Sequence, residues 1–414
     1  MRIERQLFWT LVTFVLLFVT LASWAHSSEV GPPRSPDPPQ AGSDSAPSID
    51  TSELLDYWRS NEKPPVEYLV AKFRDEQWVI VGEFHRVLHD VQLIASLVPM
   101  LHETTDVRHL ALEFLCRDHT AEANRLVSAD AYDRERMIDF FREQFPGWAY
   151  EEYLEIFHST WASNRRLAGE RGEFRLVGLH PCIDWEMINY GTDLAAVAAE
   201  QSKLKRYDEI MAEELEESIL RPGHKALVFT GIAHATGKFA EYRFGTEDQL
   251  VRMGNLVYRE PYRQDMFFVA LHAPFYDHGA DKEIYPFDGV LDELMLSFGK
   301  DIGFDVVGTP FASLDHRDRS QHAITAYSFG ELYDGYVMFR TPIKEYVGVT
   351  CVDDWVDDER KLRRFALGLT NKSAAEEYTQ MSFEEFLAEH CAPRPDHGVE
   401  FRRRFRTLPD LKDE

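Results

Sequence analysis

Two histidines in this chain stand in matching surroundings. Trp78-Val79-Ile80-Val81 is an apolar run that stops at Gly82, and Glu83-Phe84-His85 follow at once. Ala226-Leu227-Val228-Phe229-Thr230 stops at Gly231, and Ile232-Ala233-His234 follow. An unbroken apolar run predicts a buried strand, and a glycine marks where it ends. Both segments therefore read as strand-Gly-x-x-His. In an open α/β sheet ligands bind outside the carboxyl ends of the strands, which is where both imidazoles are expected. Two further polar groups fall at predicted strand ends. Glu113 lies among the apolar residues of Val107 to Leu115, and His180 follows Phe174 to Leu179. A carboxylate in such company needs a partner, because burying an unpaired charge is costly.

This set of residue types supports two kinds of chemistry. In one, His85 acts as a general base on water, with Glu83, Glu113 and His234 orienting it or stabilising developing charge. In the other, His85, Glu113, His234 and His180 hold a divalent metal ion that activates water. Either way the expected reaction is hydrolysis of an ester or amide in a small molecule or peptide. Each residue also has a plainer reading. A lone histidine after a strand is commonly a surface or capping residue. Glu83 suits a helix N-terminus, where the macrodipole favours negative charge, and Pro181 gives His180 a turn of its own.

Several other patterns are set aside. His102-Glu103 with His109 lacks the His-Glu-x-x-His spacing that puts two ligands on one helical face. His89-Asp90 lies on the helix after the first motif, either joining the site or facing solvent. There is no Gly-x-Ser-x-Gly, no P-loop and no Gly-x-Gly-x-x-Gly, which disfavours serine hydrolases, NTPases and nicotinamide enzymes.

The elements that would position these groups follow from periodicity. Helical spacing covers 51–60, 85–103, 119–127, 131–144, 149–169 and about 193–219. Strands are expected at 78–81, 107–115, 174–179 and before Gly231, then at 266–271, about 304–307 and 335–340. This alternation predicts an α/β fold, a mainly parallel sheet with helices on both faces, in one large domain over 51–390.

The ends differ from the body. Arg2 and Arg5 precede an apolar run from Leu7 to Ala22, and Ser23-Trp24-Ala25 offers small residues at a cleavage site. Residues 1–25 read as a signal peptide, or as a membrane anchor if uncleaved, so the body is expected to be periplasmic or secreted. Residues 26–50, rich in Pro and Ser, read as a disordered linker, and 391–414 as a charged tail. A net charge of −26 argues against nucleic acid as a partner and against anionic lipid surfaces. Of the four cysteines, Cys116 and Cys182 each follow a predicted strand, and that pairing is favoured over those with Cys351 or Cys391.

The strand-end motifs resemble those of the superfamily that joins erythromycin esterases, ChaN-like haem-binding lipoproteins and TIKI/TraB proteins. Gly82-Glu83-Phe84-His85 resembles its first motif, Leu112-Glu113-Phe114 its glutamate strand, and Gly231-Ile232-Ala233-His234 its second Gly-x-x-His. Asp334 to Phe339 resembles its closing strand, so the likeness spans roughly 75–345. The resemblance implies an α/β fold with a pocket at the strand ends and His85, Glu113 and His234, with Glu83 beside them, as site residues. It implies ester hydrolysis, metal-dependent proteolysis or, alternatively, non-catalytic haem or iron binding.

Overall fold

The computed structural model describes residues 51–85, 87–144, 150–182, 207–239, 241–242, 249–273, 275–277, 282–316 and 327–340. The expected leader, linker and charged tail, Cys351, Cys391 and the first part of the helix expected over 193–219 lie outside the described residues.

Seven strands make the main sheet: β1 Trp78–Glu83, β2 His109–Cys116, β3 Arg175–His180, β4 Ala226–Gly231, β5 Met266–Leu271, β6 Ile302–Asp305 and β7 Gly335–Met338. Their order across the sheet is β6-β7-β5-β1-β4-β2-β3. All neighbours run parallel except β6 and β7, which pair antiparallel at one edge. The expected mainly parallel α/β sheet is thus what forms. β1 and β4 are adjacent at its centre, with Glu83 opposite Gly231. The two Gly-x-x-His segments therefore leave the sheet side by side.

The helices among the described residues are α1 Thr51–Ser60, α2 Pro65–Lys72, α3 Leu88–Thr104, α4 Thr120–Val127, α5 Arg134–Arg142, α6 Glu151–Arg171, α7 Tyr207–Leu215, α8 Met253–Val257, α9 Val290–Phe298 and the single turn α10 Phe329–Leu332. Side chains alternate across a strand, so each central strand feeds two cores. Val79 and Val81 pack with Val91, Ile94 and Leu97 of α3 and with Tyr153 and Phe157 of α6. Trp78 and Ile80 face the other way, toward Met211 and Leu215 of α7 and Met253 of α8. A third cluster joins Leu54 and Trp58 of α1 to Phe304 of β6, Tyr336 of β7 and Leu291 of α9. Burying each such side chain stabilises by about 1.5–3 kcal/mol, which explains why β1 and β4 contain no charged residue until the carboxyl edge.

Two boundaries differ from expectation in ways that matter. The helix expected from residue 85 starts at Leu88, because Val87 has extended backbone, so His85 stands on a turn. The polar helix ending near 219 closes with one wide turn at Glu216–Leu220 after α7. Cys116 and Cys182 are joined, with Cα atoms 5.0 Å apart, as favoured from sequence. The bond ties the carboxyl ends of β2 and β3 together. Among the described residues, no helix is long and apolar enough to cross a membrane.

Candidate functional site

The site grows from a local irregularity in β2. This strand keeps register with β4 as far as Leu112, opposite Phe229, and its pairing with β3 shifts between Leu112 and Cys116. Such a shift re-aims a side chain, and Glu113 lies within it. Its carboxylate turns over the end of β4, where Oε2 accepts from Thr230 Oγ1 at 2.8 Å and from the Gly231 amide at 2.6 Å. The other oxygen, Oε1, stands 3.5 Å from His234 Nε2 and accepts no hydrogen bond from the described residues. Glu113 and His234 are both buried.

His85 arrives from β1. Its Nδ1 lies 2.9 Å from Glu83 Oε1. A carboxylate can only accept, so Nδ1 carries the hydrogen and the basic lone pair belongs to Nε2. Glu83 is itself fixed by the buried Tyr153 hydroxyl, 2.9 and 3.0 Å from its two oxygens. The imidazole lies against Gly231, where a Cβ would fall 2.5 Å from His85 Cε1. That close approach is why β4 ends in glycine. Gly82 is tight for a similar reason, its would-be Cβ lying 2.9 Å from the Ile232 Cα. The Ile232 amide donates to the Glu83 carbonyl at 2.8 Å, locking the two motifs together.

His234 is held from the opposite side by Asp208, in the first turn of α7, with Nδ1 2.7 Å from Asp208 Oδ1. The Met253 amide donates to that same oxygen at 2.7 Å, and Arg252 Nη1 lies 3.8 Å from the other. Burial opposes a charge on His234, but Asp208 and Glu113 outweigh it and raise its pKa to about 9. His234 is an imidazolium at neutral pH. Burial likewise opposes charge on Glu113 and Asp208, and the His234 cation holds both below the usual carboxylate range. His180 differs: burial pulls its pKa down to about 4, against the Pro181 carbonyl that accepts from Nδ1, so it is neutral.

Glu83, His85, Glu113 and His234 therefore meet at one sheet edge, with His180 close enough to feel the Glu113 and His234 charges. Asp208, Tyr153 and Thr230 were not legible as partners. Asp208 sits in a polar helical stretch with no apolar frame to mark it, and Tyr153 reads as one more core aromatic of α6. The set-aside histidines lie elsewhere. His102 is buried between Ser163 Oγ (2.9 Å) and the Gly172 carbonyl (2.8 Å), and His89 packs on Phe339.

One donor, His234, fits the expected metal poorly. A ligating imidazole must present a neutral lone pair, and both nitrogens of His234 face carboxylates. His85 Nδ1 and His180 Nδ1 are held by Glu83 and Pro181, support that orients the other nitrogen of each ring rather than blocking it. Among the described residues, no group of three or more His, Cys, Asp or Glu side chains is arranged to hold a metal ion. Of the expected set His85, Glu113, His234 and His180, the first three lie in imidazole–carboxylate contacts and His180 rests on the Pro181 carbonyl.

No family model and no curated protein matches the chain. Solved structures do. A succinoglycan biosynthesis protein is 10% identical, with a TM-score of 0.51, over 72% of this chain and 98% of its own. A protein from Bacillus cereus is 11% identical (TM-score 0.48, covering 70% and 97%). A variant of the erythromycin esterase EreC in its open conformation is 13% identical (TM-score 0.44, covering 65% and 92%). The likeness to the succinoglycan biosynthesis protein is one of fold alone.

Proposed function

We propose that this chain is a hydrolase of acyl compounds, with His85 as the general base. The observation that supports it is the meeting of two imidazole–carboxylate pairs, Glu83–His85 and Asp208–His234, on either side of Glu113. His85 Nε2 takes a proton from water, and the oxygen adds to the acyl carbon as the carbonyl electrons move onto oxygen. The His234 imidazolium, kept charged by Asp208 and Glu113, stabilises that oxyanion. Collapse breaks the bond to the leaving alcohol or amine, which takes the proton from His85 and leaves the carboxylic acid. Glu83 holds the ring in the productive tautomer, as Tyr153 holds Glu83. The substrate is a small molecule or peptide, and the leader-like segment and the Cys116–Cys182 bond support work outside the cytoplasm.

Haem held by the same histidines is the competing reading, and the two carboxylates that keep His234 protonated speak against that ring as a ligand. Purified protein is screened on p-nitrophenyl acetate, p-nitrophenyl butyrate and peptide p-nitroanilides, beside His85→Ala and His234→Ala. The expected result is turnover that both variants lose while keeping native circular dichroism. Full activity in His85→Ala, or a Soret band that this variant abolishes, would sink the proposal.

A further inference from the structure

One buried polar group in the site has no task in the account so far. Tyr207 is the first described residue of α7, next to Asp208. Its ring meets His180 edge to face at 4.8 Å and lies along His234 at 5.3 Å. Its hydroxyl oxygen is buried and has no hydrogen-bond partner among the described residues. Leaving a buried hydroxyl unmatched is costly, and native structures satisfy nearly all of them. A group kept this way within a charged site points to a partner that arrives from outside.

Which side of the bond the phenol takes is settled by its neighbours. Burial, with the Glu113 and Asp208 carboxylates adding to it, raises the pKa well above that of an ordinary tyrosine, so the proton stays on oxygen. Tyr207 is a donor awaiting an acceptor. The neighbouring donor is His234, whose Nε2 stands 3.5 Å from Glu113 Oε1, beyond a short hydrogen bond. Neighbouring rings that carry an O–H and an N–H have the composition of an oxyanion-stabilising pair.

We propose that the Tyr207 hydroxyl is a substrate-contacting donor that, with His234, receives the carbonyl oxygen of the acyl substrate and holds it as it becomes an oxyanion. This rests on the hydrolase reading, and the test separates the two. Tyr207→Phe removes one oxygen atom and keeps the ring packing. Two readouts are taken. One is turnover of p-nitrophenyl acetate. The other is calorimetric binding of p-nitrophenyl methylphosphonate, whose tetrahedral anionic oxygens imitate the adduct and need no turnover. The expected result is a melting temperature unchanged or raised, kcat lower by about 10²-fold, KM little changed, and phosphonate binding weaker by about tenfold or more. A lowered melting temperature with unchanged kcat and phosphonate binding would make the hydroxyl structural and overturn the inference. Unchanged turnover in Tyr207→Phe while His85→Ala is inactive overturns it and leaves the hydrolase standing. Tyr207-dependent phosphonate binding by a wild-type protein that hydrolyses nothing supports the donor and removes the hydrolase. Phosphonate binding equal in both proteins, or seen in neither, also overturns the inference.

Discussion

His85 and His234 each place Nδ1 on a carboxylate, at 2.9 Å and 2.7 Å, at the ends of adjacent strands. The resemblance stops there. His85 takes its carboxylate from two residues back on its own strand, and its side chain is 20% exposed. His234 takes Asp208 from a different element, is buried, and has Glu113 on its far nitrogen. One carboxylate on a ring that reaches solvent fixes a tautomer and leaves a base. Two carboxylates on a buried ring fix a charge. The same Gly-x-x-His pattern therefore yields two chemical roles, and the difference comes from what folds against it.

The largest effect is expected from Asp208→Asn. Breaking a buried ion pair from one side costs about 3–5 kcal/mol, so urea unfolding should show that loss together with reduced turnover. An unchanged stability would mean that His234 is not held as a cation. His85→Ala comes next, with turnover down about 10²–10⁴-fold and a melting temperature close to wild type, since the side chain is partly exposed. Glu83→Gln tests orientation alone: it keeps the shape but lets the imidazole take the wrong tautomer. Its loss of turnover should be smaller than that of His85→Ala, and equal or greater loss would give Glu83 a role beyond positioning.

The pH dependence follows from His234. Its folded pKa of about 9 lies above the ordinary 6.5, so the native state binds the proton more tightly than the unfolded chain does. That contribution is fully present below about pH 6.5 and is lost as pH rises through about 9. Urea midpoints should fall over that window, and turnover should fall on the alkaline side with them. The smallest effect sharpens the comparison from outside the site. His158 pairs with Glu155 at 3.0 Å on the surface of α6, with side chains 41% and 56% exposed. His158→Ala should change stability by less than about 1 kcal/mol and leave turnover alone.

Much of this arrangement was legible in the chain. Strand-Gly-x-x-His placed both imidazoles correctly, because a parallel sheet sends all its strand ends to one edge. Glu113 was marked by its apolar neighbours, although its aim depends on the register shift after Leu112, which no periodicity encodes. Asp208 and Tyr153 were not legible, since a buried polar partner on a helix looks in sequence like any other polar or aromatic residue. His272, buried between Asp292 and Tyr336 just past β5, shows the converse. It too follows a strand, but with no glycine before it nothing in the pattern drew attention to it.

The charge on His234 is the quantity that separates the two strand ends, and nitrogen NMR reads it without any substrate. In the folded protein at pH 7.5 both ring nitrogens of His234 should carry hydrogen, the ring losing its proton only near pH 9. A neutral His234 ring at pH 7.5 would contradict the account.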